Sequence, residues 1–147
     1  MVILRLRKPR LAFTLIEMMV VVLIMGALAL IVIPRVLNAG RKARETQLRG
    51  DLKHLRDSIE RFQARTDALP PQLADIVAPN GDAISSDKDA NGLSVDRAGY
   101  DGPYLQMKRL PKDPFTGQPD WNYDPATGVV HSKSALTAID KTTYDTW

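Results

Sequence analysis

Between Met18 and Ile33 the sequence carries no charged or strongly polar side chain. With Phe13 to Glu17 in front, the stretch is 21 residues long, or ~32 Å as a helix, enough to cross the hydrocarbon core of a bilayer. The stretch is a membrane segment. One residue is out of keeping with the run. Glu17 places a carboxylate inside it, where an unpaired charge costs roughly 2.5–3.5 kcal/mol or more at the bilayer centre, so Glu17 needs a positive partner. Ahead of the run lies a basic leader with Arg5, Arg7, Lys8 and Arg10, ending at the small residue Ala12. An ordinary secretory signal has its small-residue cleavage site after the apolar stretch. Here the small residue comes first, so a cut there removes only the charges and keeps the helix in the product. The residues alone also allow a plain single-pass anchor whose Glu17 snorkels to the interface.

The order of these features, a basic leader, then Phe13-Thr14-Leu15-Ile16-Glu17, then an apolar run ending near Pro34, resembles the class III signal of type IV pilins and type II secretion pseudopilins. The resemblance implies a prepilin peptidase that cuts between Ala12 and Phe13 and methylates the new amino terminus of Phe13. It implies assembly of copies of the chain, through Phe13 and Glu17, into a helical filament raised by an inner-membrane assembly platform with minor pseudopilins. Localisation follows from the same source: a single pass through the bacterial inner membrane with the head in the periplasm, then a periplasmic or cell-surface filament. Positive charges alone do not orient the span, because Arg35, Arg41, Lys42 and Arg44 balance the leader. Ala12 departs from the family's usual Gly before the cut.

The remaining length is enough for one domain. Three parts are expected: a leader at 1–12 that is removed, a transmembrane and assembly helix at 13–34, and a periplasmic head at 35–147. Pro34 has no amide to donate and clashes with the preceding turn, so a helix passing through it should bend. The formal charge of +3 owes to the leader; without it, 16 basic residues stand against 17 acidic ones. Cysteine is absent, which rules out a disulfide or a thiolate metal site.

Asn38 to Gln47 is polar or small throughout and reads as a solvated neck. Leu48, Leu52, Leu55, Ile59 and Phe62 then recur at spacings of four and three, one stripe of a helix packed on a core. Pro70-Pro71 stops that helix. Asp57 and Arg61 are spaced for an i,i+4 pair. Tyr104–Leu110, Asp120–Tyr123 and Val129–Ser132 read as strands, the last two joined through Asp124-Pro125-Ala126-Thr127-Gly128 as a hairpin. Tyr104, Leu110, Trp121, Tyr123 and Val129 are the expected apolar face. The fold class is therefore α+β and pilin-like, a long helix with a membrane-spanning half and an amphipathic half packed on a small antiparallel sheet. Gly102-Pro103-Tyr104-Leu105, Leu110-Pro111-Lys112-Asp113-Pro114-Phe115 and Trp121-Asn122-Tyr123 are similar to stretches of the major secretion pseudopilin. The segment after Ser132 lacks that subunit's glycine-rich acidic ending.

No phosphate loop, nucleophile elbow or metal-spaced His pair occurs, and His54 and His131 lie on different elements. An enzyme is not expected. Arg41, Lys42, Arg44 and Arg49 are basic but have no aromatic neighbours in sequence, so nucleic acid is not an expected partner. Three functions stay open: a type II secretion major pseudopilin, favoured by the resemblance, a type IV pilus or DNA-uptake pilin, and a membrane-tethered periplasmic binding domain.

One polar loop carries a metal expectation. Asp87, Asp89 and Asn91 alternate and Gly92 follows, the opening of a calcium loop, with the Leu93 carbonyl and Asp96 completing the set. Ala98 stands where an EF-hand requires Glu, so no EF-hand is expected. Calcium stabilises the head in several pseudopilins that the chain resembles, with ligands nearer the C-terminus. The same Asp, Asn and Gly residues also fit a solvated turn.

Overall fold

The computed structural model describes residues 13–147, except the side chains at 34, 35 and 37. The leader expected at 1–12, and Ala12 with it, lies outside the described residues. Helix α1 runs Leu15–Thr66 and continues past Pro34. The chain divides into two compact units between Gly40 and Arg41. In the first, the large apolar side chains from Phe13 to Ile33 are all exposed. Each such side chain stabilises a fold by about 1.5–3 kcal/mol only once buried, so this unit by itself is an unsatisfied surface.

In the second unit Leu48, Leu52, Leu55, Ile59 and Phe62 are all buried, as their spacing predicts. Thr66 ends the helix by turning its hydroxyl back on the Phe62 carbonyl (2.8 Å). Asp67 then takes a left-handed φ of 58°, a conformation that short polar residues tolerate at helix ends. A 3-10 turn follows at Leu73–Val77. The sheet has two antiparallel strands, β1 (Asn122–Asp124) and β2 (Val129–His131), with Tyr123 opposite Val130. Asp124 fastens the hairpin by accepting from the Ala126 amide and the Thr127 hydroxyl. Gly128, at φ 74°, lets the backbone turn where a Cβ would meet Leu69 at 2.7 Å. Helix on small antiparallel sheet gives the α+β, pilin-like class.

Two expectations about strands are corrected. Tyr104–Leu110 is not a strand: the Lys108 amide closes a turn on the Leu105 carbonyl (2.9 Å), with Lys108 at φ 50°. Tyr104, Leu105 and Leu110 still pack against the core, and Tyr104 and Tyr100 pack edge-on against Phe62 and each other. Val129 is exposed, and Val130 is the buried residue of β2. The hairpin register puts Val130, not Val129, opposite Tyr123, and neighbouring strand positions face opposite ways.

The neck is not solvated throughout. Glu45 is buried, and one of its oxygens accepts from the Tyr144 hydroxyl and the Ile139 amide, each at 2.8 Å. Arg41 donates to the Thr137 carbonyl. The C-terminal segment thus lies along the helix, with Ile139 bonded to a residue 94 positions earlier. It is held further by Arg56 on the Trp147 carbonyl (2.6 Å), Arg49 over the Trp147 ring (4.2 Å) and Phe115 stacked on Tyr144 (4.1 Å). Burial pushes the Tyr144 phenol above its ordinary pKa, so it stays a donor at neutral pH. Replacing Tyr144 with Phe removes one of two donors from a buried carboxylate and should cost about 1–3 kcal/mol. The denaturation midpoint of tryptophan fluorescence, measured on the full chain in detergent, checks this. An unchanged midpoint would mean that the segment is not seated on Glu45.

Candidate functional site

The start of α1 brings Phe13, Thr14 and Glu17 together. Thr14 stands just ahead of the first helical residue, and its hydroxyl accepts from the Glu17 amide at 3.3 Å. Such a cap answers one of the four amides that a helix start leaves without partners. Thr-x-x-Glu is also the spacing of a capping box, so the local signal for this helix start sits within the motif itself. Glu17 lies in the first turn, where a negative charge meets the positive end of the helix dipole. Among the described residues it forms no ion pair; the four that occur all lie in the head. Phe13, Leu15 and Ile16 around it are each more than two-thirds exposed. The arrangement is an acid at the mouth of an apolar rod, suited to joining a cation on another molecule.

The head offers a groove of about 470 Å³ beside α1, lined by Asp51, His54, Ser58, Arg61, Tyr104 and Arg109 among others. One Asp51 oxygen is buried there without a hydrogen-bond partner. Burial holds the Asp51 carboxyl above the ordinary carboxylate range, against the opposing pull of Gln47 and His54. His54 is exposed, and the expected Asp57–Arg61 ion pair is not among those formed in the described head. The Ser58 hydroxyl in the groove donates to the His54 backbone carbonyl at 2.7 Å.

The five residues expected to hold calcium do not converge. One oxygen of Asp89 accepts from the amides of Asn91 and Leu93, both at 2.9 Å, and the other from the Leu69 amide at 3.4 Å. The Asn91 side chain donates to the Ala126 carbonyl, and the Leu93 carbonyl accepts from the Asp89 amide. Asp96 accepts from the Ala98 amide, while Asp87 pairs with Arg97 at 2.6 Å. Among the described residues no three His, Cys, Asp or Glu side chains are placed to share a metal ion. The residues present do not fit the ion. Arg97 carried no signal in the sequence, being one of two basic residues, with Lys88, in a polar stretch.

Arg49 does have an aromatic neighbour, Trp147, which lies too far along the chain for the sequence to show. It is also paired with Asp140 at 3.2 Å.

One comparison with known proteins falls on the same end of the chain, and two others span most of it. Residues 7–33 match the family described as the prokaryotic N-terminal methylation motif. Over 125 residues the chain is 31% identical to the type II secretion system core protein G of Pseudomonas aeruginosa, a match covering 82% of this chain and 78% of that protein. It is 30% identical over 103 residues to the core protein G of Aeromonas hydrophila, covering 70% of this chain and 66%, just under two thirds, of that protein. No solved structure matches the chain.

The orphaned oxygen of Asp51 has a pH signature. A carboxyl whose pKa is raised on folding binds its proton more tightly in the folded state, so stability falls as pH rises from the ordinary value of 3.8 through the raised one. Asp51→Asn should therefore raise the melting temperature at pH 7, with the gain shrinking as the pH drops towards 4. A gain that is the same at both ends would mean that Asp51 is not the strained group.

Proposed function

Because the chain belongs to the family of the type II secretion system core protein G, the major pseudopilin, we propose that it is the principal subunit of a type II secretion filament. A prepilin peptidase cuts between Ala12 and Phe13 and methylates Phe13. The helix then holds the subunit in the inner membrane, head in the periplasm, until the assembly platform and minor pseudopilins draw it into the filament. Pro34 bends the helix where it leaves the bilayer. The family is structural, and the chain is not an enzyme.

The observation that carries this reading is the uncompensated acid at the head of a fully exposed apolar rod. A carboxylate taken out of water needs a positive partner at close range. The apolar run supplies none, whereas cleavage creates one: the methylated amino group of Phe13. Glu17 of one copy pairs with Phe13 of the next, and packing of the rods buries the side chains from Phe13 to Ile33. Arg41 and Arg49 are engaged by the C-terminal segment, so the basic stripe that a DNA-uptake pilin would use is partly occupied.

Mass spectrometry of the mature protein should find an amino terminus at Phe13 carrying one extra methyl group. Glu17→Ala should leave that processing intact and abolish filaments seen by electron microscopy. Normal filaments from the variant would sink the assembly reading and leave a tethered domain.

A further inference from the structure

Three backbone carbonyls, those of Gly81, Asp82 and Ile84, face one side chain at one end of the 81–97 loop, in and just after a 3-10 turn at Gly81–Ala83. Carbonyl oxygens drawn together repel one another unless a cation lies between them, which is how oxygen cages for hard metal ions work. Here the cation is covalent. Arg97 Nη1 donates to the Gly81 carbonyl (3.3 Å) and the Asp82 carbonyl (3.1 Å). Its Nη2 donates to the Ile84 carbonyl (3.1 Å) and pairs with an Asp87 oxygen (2.6 Å). Three carbonyls and a carboxylate around one positive centre form a metal-like donor set filled by a side chain. Nε of Arg97 is buried without a partner, so the two terminal nitrogens make all the contacts.

The backbone is built around this contact. A Cβ at Gly81 would lie 2.2 Å from the Arg97 carbonyl oxygen, so the loop ends touch chain to chain and only glycine fits. Next to Arg97, the Asp96 amide donates to the Thr66 carbonyl at the end of α1, and the Val95 amide to Asp87 (both 2.9 Å). Ile84, Val95 and Tyr100 are thereby carried into the core. Asp87, expected as a calcium ligand, is instead the counter-ion of Arg97.

We propose that the guanidinium of Arg97 is the internal cation on which the 81–97 loop closes, in the role the Asp87-x-Asp89-x-Asn91-Gly92 pattern assigns to calcium, and that the head folds and stays folded without a divalent ion. Only arginine suits the position, since its planar fork reaches several oxygens at once where lysine offers a point charge.

The test is thermal unfolding of the full chain in detergent, followed by tryptophan fluorescence, because both tryptophans, Trp121 and Trp147, lie in the head. Wild type should melt at the same temperature in excess calcium chloride and in EDTA. Arg97→Gln should melt lower by about 5–15 °C in both buffers, with Asp87→Asn falling less because the carbonyls keep their donor. A drop in the wild-type melting temperature on chelation, an Arg97→Gln protein as stable as wild type, or its recovery by calcium would each overturn the proposal. Should Arg97→Gln give no cooperative transition, Arg97→Lys takes its place: a lowered, calcium-indifferent transition supports the proposal, and a wild-type one overturns it.

Discussion

Two strands of three residues bury too little to hold a head of more than a hundred residues, so the head depends on the stripe that Leu48, Leu52, Leu55, Ile59 and Phe62 present. These five residues share one core cluster with the buried residues of the loops and hairpin, and Phe62 joins it edge-on to Tyr100 and Tyr104. The part of the helix in the second unit is therefore the foundation of the head. A single element thus answers two solvents, apolar on all sides up to Ile33 and on one side from Leu48.

With so little sheet, most of the backbone in the head has no ladder to satisfy it. Short carboxylates take that role. Asp75 accepts from the amides of Gln72 and Ser85, and buried Asp113 from the amides of Phe115 and Thr116 and the Ser132 hydroxyl. Asp89 and Glu45 do the same for the polar loop and the C-terminal segment. Buried carboxylates are stable only when such donors surround them. These acids look like surplus charge in the sequence; in the structure they fasten loops.

The parts of the fold that follow from local periodicity were legible. The apolar run, the core stripe, the helix end before Pro70 and the hairpin at Asp124–Gly128 depend on residues close in sequence, and so does the motif from Phe13 to Glu17. What escaped depends on residues far apart. Glu45 and Tyr144 are 99 positions apart, and nothing in Asn38–Gln47 shows that a later segment will cover it. The Asp87–Asp96 pattern does not by itself tell a metal ligand from a turn, because alternate acids look alike whether they meet a metal, a backbone amide or an arginine ten residues on. Val129 was a register error, since one residue's slip exchanges the two faces of a strand.

The first unit is an apolar helix exposed along Phe13 to Ile33 with one acid in its first turn, and on the proposed reading copies of this helix are each other's surroundings. Electron cryo-microscopy of filaments assembled from the processed chain tests that most directly. The account predicts residues 13–33 packed around the filament axis, with the Glu17 carboxylate within about 4 Å of the Phe13 amino group of a neighbour, the distance of an ion pair. Filaments joined only through their heads, with the apolar helices apart and Glu17 facing no amino terminus, would contradict it.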